Sequence, residues 1–125
     1  MFRLSSYCKG LSKSFANAFW GLFYTIRTQH NFQIHLISSI AVIITGIFFE
    51  ISKLEWLIIA LTIFIVFIAE TFNTAIEKLV DFVSPEYDKI AGLVKDIAAG
   101  AVLLTAIMSV IIGLIIFLPY IFLMF

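Results

Sequence analysis

No charged side chain occurs between Ile97 and the C-terminal Phe125. A run of that length has to be reconciled with water or removed from it, and two further stretches pose the same demand. Asn31 to Phe49 carries no charge, and a span beginning near Leu54 stays apolar through Ala69, then continues with interspersed charges to about Val83. Each approaches the ~20 residues needed to cross a ~30 Å hydrocarbon layer. Backbone groups in lipid must be satisfied within their own segment, which predicts helices. The runs are continuous rather than alternating, which excludes a β-barrel. Of the 125 residues, 62% are hydrophobic and 13% charged, against ~45–50% and ~25% in a soluble domain. A chain this short cannot hide that excess in a core of its own. A soluble monomer and a disordered chain are excluded. The formal net charge is zero, with no basic stripe, so nucleic acid is not an expected partner. The expected fold is an all-α integral membrane protein. It is read as one domain, 1–125, with spans at about 31–49, 54–83 and 97–118.

Short breaks separate the spans, at Glu50–Glu55 and at Ser84–Lys89, where Pro85 disfavours helix in the residue before it. Arg3, Lys9, Lys13 and Arg27 precede the first span, and Lys78, Lys89 and Lys95 flank the second break. The excess of basic residues there predicts that 1–30 and 78–96 are cytoplasmic and that the 50–55 turn and C-terminus lie outside. Within 9–27, Leu11, Phe15, Ala18, Phe19, Leu22 and Ile26 recur at spacings of three and four, with Lys9, Lys13 and Arg27 interleaved. This pattern predicts an amphipathic helix on the inner leaflet of the cell membrane. No secretory signal is read at the N-terminus. The one cysteine, Cys8, reads as a free thiol.

The chemistry is expected in Glu70–Asp81. At ~100° per residue, Asn73, Glu77 and Asp81 fall at about −60°, −20° and +20° from Glu70, forming one polar stripe. An ionised Glu deep in a spanning helix costs roughly 2.5–3.5 kcal/mol or more against lipid. Carboxylates near the aqueous end suit hard cations such as Mg²⁺, which accept oxygen ligands and substrate phosphates. The deeper Glu70 is the candidate general base for a hydroxyl at the interface, since a desolvated carboxylate is a stronger base. Lys95 and Asp96, read as opening the third span, face the same layer, and a lysine suits phosphate. A P-loop is absent, as are a Ser-His-Asp set and zinc spacing. His30 and His35 read as interfacial polar residues. The stripe alone also admits a small proton-coupled transporter with Glu70 as carrier, or a polar seam in an oligomer. Small residues at Ala98, Ala99, Gly100 and Ala101 suit helix packing in any assembly.

Glu70-x-x-Asn73-Thr-Ala75-Ile76-Glu77-x-x-x-Asp81, then Glu86-Tyr87, then Lys95-Asp96 resembles the small prokaryotic diacylglycerol kinase family over about Ser14 to Ile116. Asn31-Phe-Gln-Ile-His35-Leu, Leu54-Glu-Trp56 and Ser84-Pro-Glu-Tyr87 are most similar to its undecaprenol kinase branch. The resemblance implies a homotrimer of three-span subunits and ATP-dependent, Mg²⁺-assisted phosphorylation of a lipid hydroxyl. The acceptor would be undecaprenol or, alternatively, diacylglycerol. It implies Glu70 as base, Asn73 placing the substrate and Glu77 holding metal. Glu86, Tyr87, Lys95 and Asp96 would lie along the nucleotide. The family's surface helix usually offers a metal-binding glutamate where this chain has Gln29. An amide can coordinate through its carbonyl but adds no charge, so weaker metal binding is expected.

Overall fold

A computed structural model describes residues 2–125, with side chains from Leu4 onward, so the side chain of Arg3, counted above for orientation, lies outside the described part. Four helices follow in order: α1 (Phe2–Thr28), α2 (His30–Phe48), α3 (Lys53–Val83) and α4 (Lys89–Met124). The last three are long and apolar enough to cross a membrane. We call the end holding the α3–α4 link the near end, and that holding the α2–α3 turn the far end.

Local chemistry sets the helix ends. Ser52 caps α3: its hydroxyl accepts from Glu55 N at 3.2 Å and donates to Glu55 Oε1 at 2.9 Å. Asp88 caps α4, accepting from the backbone N–H of Ile90 at 2.8 Å and of Ala91 at 3.0 Å. At the end of α2, Glu50 N donates to Ile47 O and Ile51 N to Gly46 O, both at 3.2 Å. That is a Schellman closure, which needs a left-handed residue between them. Glu50 fills the place with φ 50°, a conformation that glycine takes more cheaply.

The expected third span, 97–118, is shorter than the helix that contains it. Asp88 starts α4 at Lys89, so Lys95 and Asp96 sit beyond its first turn instead of opening it. Pro119 lies inside α4 near its far end. There it leaves one carbonyl of the preceding turn without its helical donor.

Helix α3 is central and touches each of the others, while α2 and α4 do not contact one another among the described residues. Two polar contacts tie α3 to α4 lengthwise. Lys95 pairs with Asp81 at the near end, and Tyr120 OH donates to Glu55 Oε1 at 2.9 Å at the far end. At 1.5 Å per residue these lie about 39 Å apart along α3. They fix an antiparallel register in which Glu70 is level with the α4 turn around Ala106. The far end also holds the main apolar cluster, with Ile51, Ile59 and Ile116 buried against Phe49, Trp56 and Phe117. Gly46 permits this packing, since a Cβ there would lie 2.8 Å from Trp56 Cη2. Nearer the site, Phe32 of α2 stacks on Phe67 of α3 with centroids 4.8 Å apart. Much of the remaining apolar surface faces outward, including Leu103, Leu104, Ile107, Ile111 and Ile115 of α4.

Candidate active site

The buried residues of α3 are Ile59, Thr62, Val66, Glu70, Asn73 and Thr74. Their spacing keeps them near one face, and the polar stripe is the near-end continuation of that face. Glu70 is 2% exposed and is the most deeply enclosed large side chain among the described residues. Its Oε2 has no hydrogen-bond partner there, and neither does Oδ1 of Asn73, itself 6% exposed. Burying a carboxylate oxygen without a donor costs several kcal/mol, so packing is a poor explanation for it. Thr74 holds the turn by donating to the Glu70 carbonyl at 3.0 Å.

Toward the near end the stripe becomes wetter. Asn73 Nδ2 donates to Glu77 Oε1 at 3.4 Å, joining the amide to the next carboxylate of the stripe. His35 of α2 and Glu77 are the titratable neighbours that act on Glu70 through space. Asp81 is exposed and engaged by Lys95, so the fourth member of the stripe is an ion-pair partner. Lys95 is thereby held over the near end of α3, where the sequence pattern requires it. Asp96 is exposed and makes no side-chain hydrogen bond among the described residues. Glu86 and Tyr87 stand in the α3–α4 link. Tyr87 is 94% exposed, and the Glu86 carbonyl accepts from Ser84 Oγ at 3.3 Å.

Gln29 is the N-cap residue of α2, at the corner with α1, and makes no capping bond with its side chain. Its Nε2 donates to Thr28 Oγ1 at 3.0 Å. No side-chain hydrogen bond links it to Glu77 among the described residues. Three features escaped the sequence reading. Gln33 fastens the corner by donating to the carbonyls of Ile26 at 3.1 Å and Arg27 at 3.3 Å. Lys78 places its ammonium 5.7 Å from the Tyr24 ring centroid, joining α3 to α1 beside Glu77. His35 faces a cavity between helices, a contact that its place in the sequence does not show.

The oxygen donors suit a hard divalent cation. Glu77 brings a partly exposed carboxylate and Asn73 an unpartnered carbonyl oxygen. No group of three His, Cys, Asp or Glu side chains converges among the described residues. Hard divalent cations take oxygen ligands of this kind and fill their remaining positions with water and phosphate oxygens.

Comparison with known proteins identifies relatives of the chain. Residues 16–117 match the family described as Prokaryotic diacylglycerol kinase. The undecaprenol kinase of Bacillus subtilis is 48% identical over 107 residues, 86% of this chain and 87% of the relative. A diacylglycerol kinase of Synechocystis is 42% identical over 107 residues, covering 85% of this chain and 61% of that protein. The diacylglycerol kinase of Escherichia coli K12 is 27% identical over 75 residues, 60% of this chain and 62% of that one. With most of its length matched, this chain belongs to the prokaryotic diacylglycerol kinase family.

Proposed function

We propose that the protein phosphorylates the hydroxyl of a membrane lipid with ATP, undecaprenol being the acceptor. The observation that carries this is the unpartnered Glu70 Oε2, enclosed at membrane depth on the face that leads to Glu77 and Lys95. Such an oxygen lacks one thing, a hydrogen-bond donor, and a lipid hydroxyl arriving from the bilayer supplies it. Undecaprenol is favoured because the relative so named shares the higher identity. The diacylglycerol kinase relatives support the alternative acceptor.

Glu70 accepts the hydroxyl proton as the lipid oxygen bonds to the γ-phosphorus of ATP. The bond from that phosphorus to the β-γ bridging oxygen breaks, and ADP leaves. Asn73 steadies Glu77 and positions the acceptor. Glu77, with Asn73 Oδ1 and in the family's arrangement Gln29, holds Mg²⁺, which supplies charge screening on the phosphates when bound. Lys95, released in part from Asp81, contacts phosphate as a point charge. Asp96, Glu86 and Tyr87 line the nucleotide's approach. Little covalent work falls to the protein, so positioning and electrostatics dominate.

The site opens to the cytoplasm, where ATP is, which agrees with the basic flanks of the spans. Helix α1 rests on the inner leaflet with Phe15, Phe19 and Trp20, all well exposed, available to lipid. The chain works as a trimer, which would cover part of the outward apolar surface of α4. Purified protein incubated with radiolabelled ATP and either lipid is expected to label undecaprenol in preference. Glu70→Gln and Glu77→Gln are expected to abolish labelling, and full activity in either variant overturns the assignment.

A further inference from the structure

A cavity of about 550 Å³ opens between α2, α3 and α4, bordered by His35 and Ser39 of α2, Thr62 and Val66 of α3, and Ser109 and Gly113 of α4. It has the size of a small-molecule site. Its floor is the face of α3 that carries Glu70. Counted from Glu70 at ~100° per residue, Ile59, Thr62, Ile63 and Val66 fall at about −20°, −80°, +20° and −40°, within the same sector as Asn73, Glu77 and Asp81. One face of one helix is therefore polar toward the near end and apolar toward the far end. Glu70 stands at the change, one turn from Val66.

The wall is mostly apolar, and its hydroxyls have their protons committed. Ser38, Ser39, Thr62 and Ser109 each donate to a backbone carbonyl of their own helix, at 2.7 to 2.9 Å. Among the polar lining side chains, His35 alone is not tied to a carbonyl of its own helix and can offer a ring N–H. This lining suits an occupant that is hydrocarbon along the cavity and polar at the His35 end, the end toward Glu70. The floor is recessed, with Ile59, Thr62 and Val66 already 4 to 7% exposed within a single chain. The second cavity, about 520 Å³ between α1, α2 and α3, is lined by Phe64, Ile68, Thr71 and Phe72, which face away from the Glu70 sector.

Building on the lipid kinase reading, we infer that this cavity binds the proximal hydrocarbon chain of the lipid alcohol and selects acceptors by that chain. The hydroxyl rests at Glu70 and the chain runs outward between α2 and α4. The antiparallel register puts Gly113 level with Ile63, about 10 Å beyond Glu70. A Cβ at Gly113 meets no atom within 4 Å. A larger side chain can therefore enter the cavity without displacing backbone, and loss of a helical glycine favours the helix.

The test is Gly113→Leu, with Ser39→Leu filling the same space from α2, assayed on a long polyprenol and on a five-carbon prenyl alcohol too short to reach Gly113. The KM for the long alcohol is expected to rise at least tenfold more than that for the short one in both variants. Equal changes for the two alcohols, or an unchanged long-alcohol KM, overturn the inference. So does a change in oligomeric state on filling, which would make the cavity a subunit interface. Failure of the unmodified protein to phosphorylate any lipid alcohol would instead refute the kinase reading itself.

Discussion

Replacing Gln33 with leucine should loosen α1 at its C-terminal end. The last four carbonyls of a helix lack intrahelical donors. In α1 these include Ile26 and Arg27, and a single side-chain amide, Gln33 Nε2, donates to both at 3.1 and 3.3 Å. A hydrogen bond contributes ~0.5–1.5 kcal/mol net. Both of these are exposed, so water replaces much of what is lost. About 1 kcal/mol for the pair is a fair figure, and at 1.4 kcal/mol per tenfold it is about a fivefold shift in the docked population. Few other contacts hold this corner, chiefly Lys78 over Tyr24.

Hydrogen exchange of the backbone amides in the last turn of α1 reads this directly. Gln33→Leu should speed exchange there about fivefold and leave the middle of α3 unaffected. Gln33→Glu should act more strongly, because a carboxylate cannot donate and meets the negative end of the α1 dipole. Gln33→Lys, which restores a donor, should recover protection. If Gln33→Leu exchanges like the unmodified protein, or Gln33→Glu is milder than the leucine, the fastening role is refuted. Since Gln29 stands at the same corner, the leucine variant should also need more Mg²⁺ for half-maximal activity.

Three further outcomes follow from single positions. Gln29→Glu should lower the Mg²⁺ required for half-maximal activity, because a unit charge ~4 Å from a divalent ion contributes roughly 2 kcal/mol in watery surroundings, about thirtyfold. Overlaying metal titrations would count against any role for this position. Glu50→Gly should stabilise the protein by about 0.5–1 kcal/mol, relieving a left-handed non-glycine residue; an unchanged or lower unfolding midpoint in detergent would contradict it. Gly46→Ala should destabilise by about 1 kcal/mol, the overpacking against Trp56 and Ile51 outweighing the helix-forming gain of alanine. Combining it with Trp56→Phe, which removes the clashing ring atoms, should restore stability, and additive losses would refute that account.

The polar stripe was legible because it lies on one helix, where 3.6-residue periodicity alone decides which side chains share a face. The end of α3 was equally legible, since Pro85 is a local signal and the helix stops at Val83. The start of α4 was misplaced because hydropathy marks where a helix can meet lipid, not where its hydrogen bonds begin. The signal that finds it, Asp88 as a cap, was present in the sequence and outweighed by the charges after it. Lys95 read as a phosphate contact because of the Glu70–Asp81 stripe beside it. Its pairing with Asp81 depends on how α3 and α4 slide past one another, which no local pattern encodes. Gln33 and Gly46 stayed hidden for the same reason, since each acts on a neighbouring element.

The amphipathic logic of α3 differs from that of a helix on a soluble protein. There, polar and apolar faces are separated around the axis. Here one face is divided along the axis, with Thr62 and Val66 on the far side of Glu70 and Asn73 and Glu77 on the near side. A lipid alcohol is divided in the same direction. A carboxylate placed one turn farther out would face the hydrocarbon of the lipid instead of its hydroxyl. Placed one turn nearer, it would be hydrated and a weaker base. At the boundary, burial leaves Glu70 Oε2 short of a donor where a membrane-bound hydroxyl arrives. Moving the acid by one turn, as Glu70→Val with Val66→Glu, should therefore abolish phosphorylation even if the fold is retained; lipid labelling at the unmodified rate would refute the claim that the depth of the carboxylate matters.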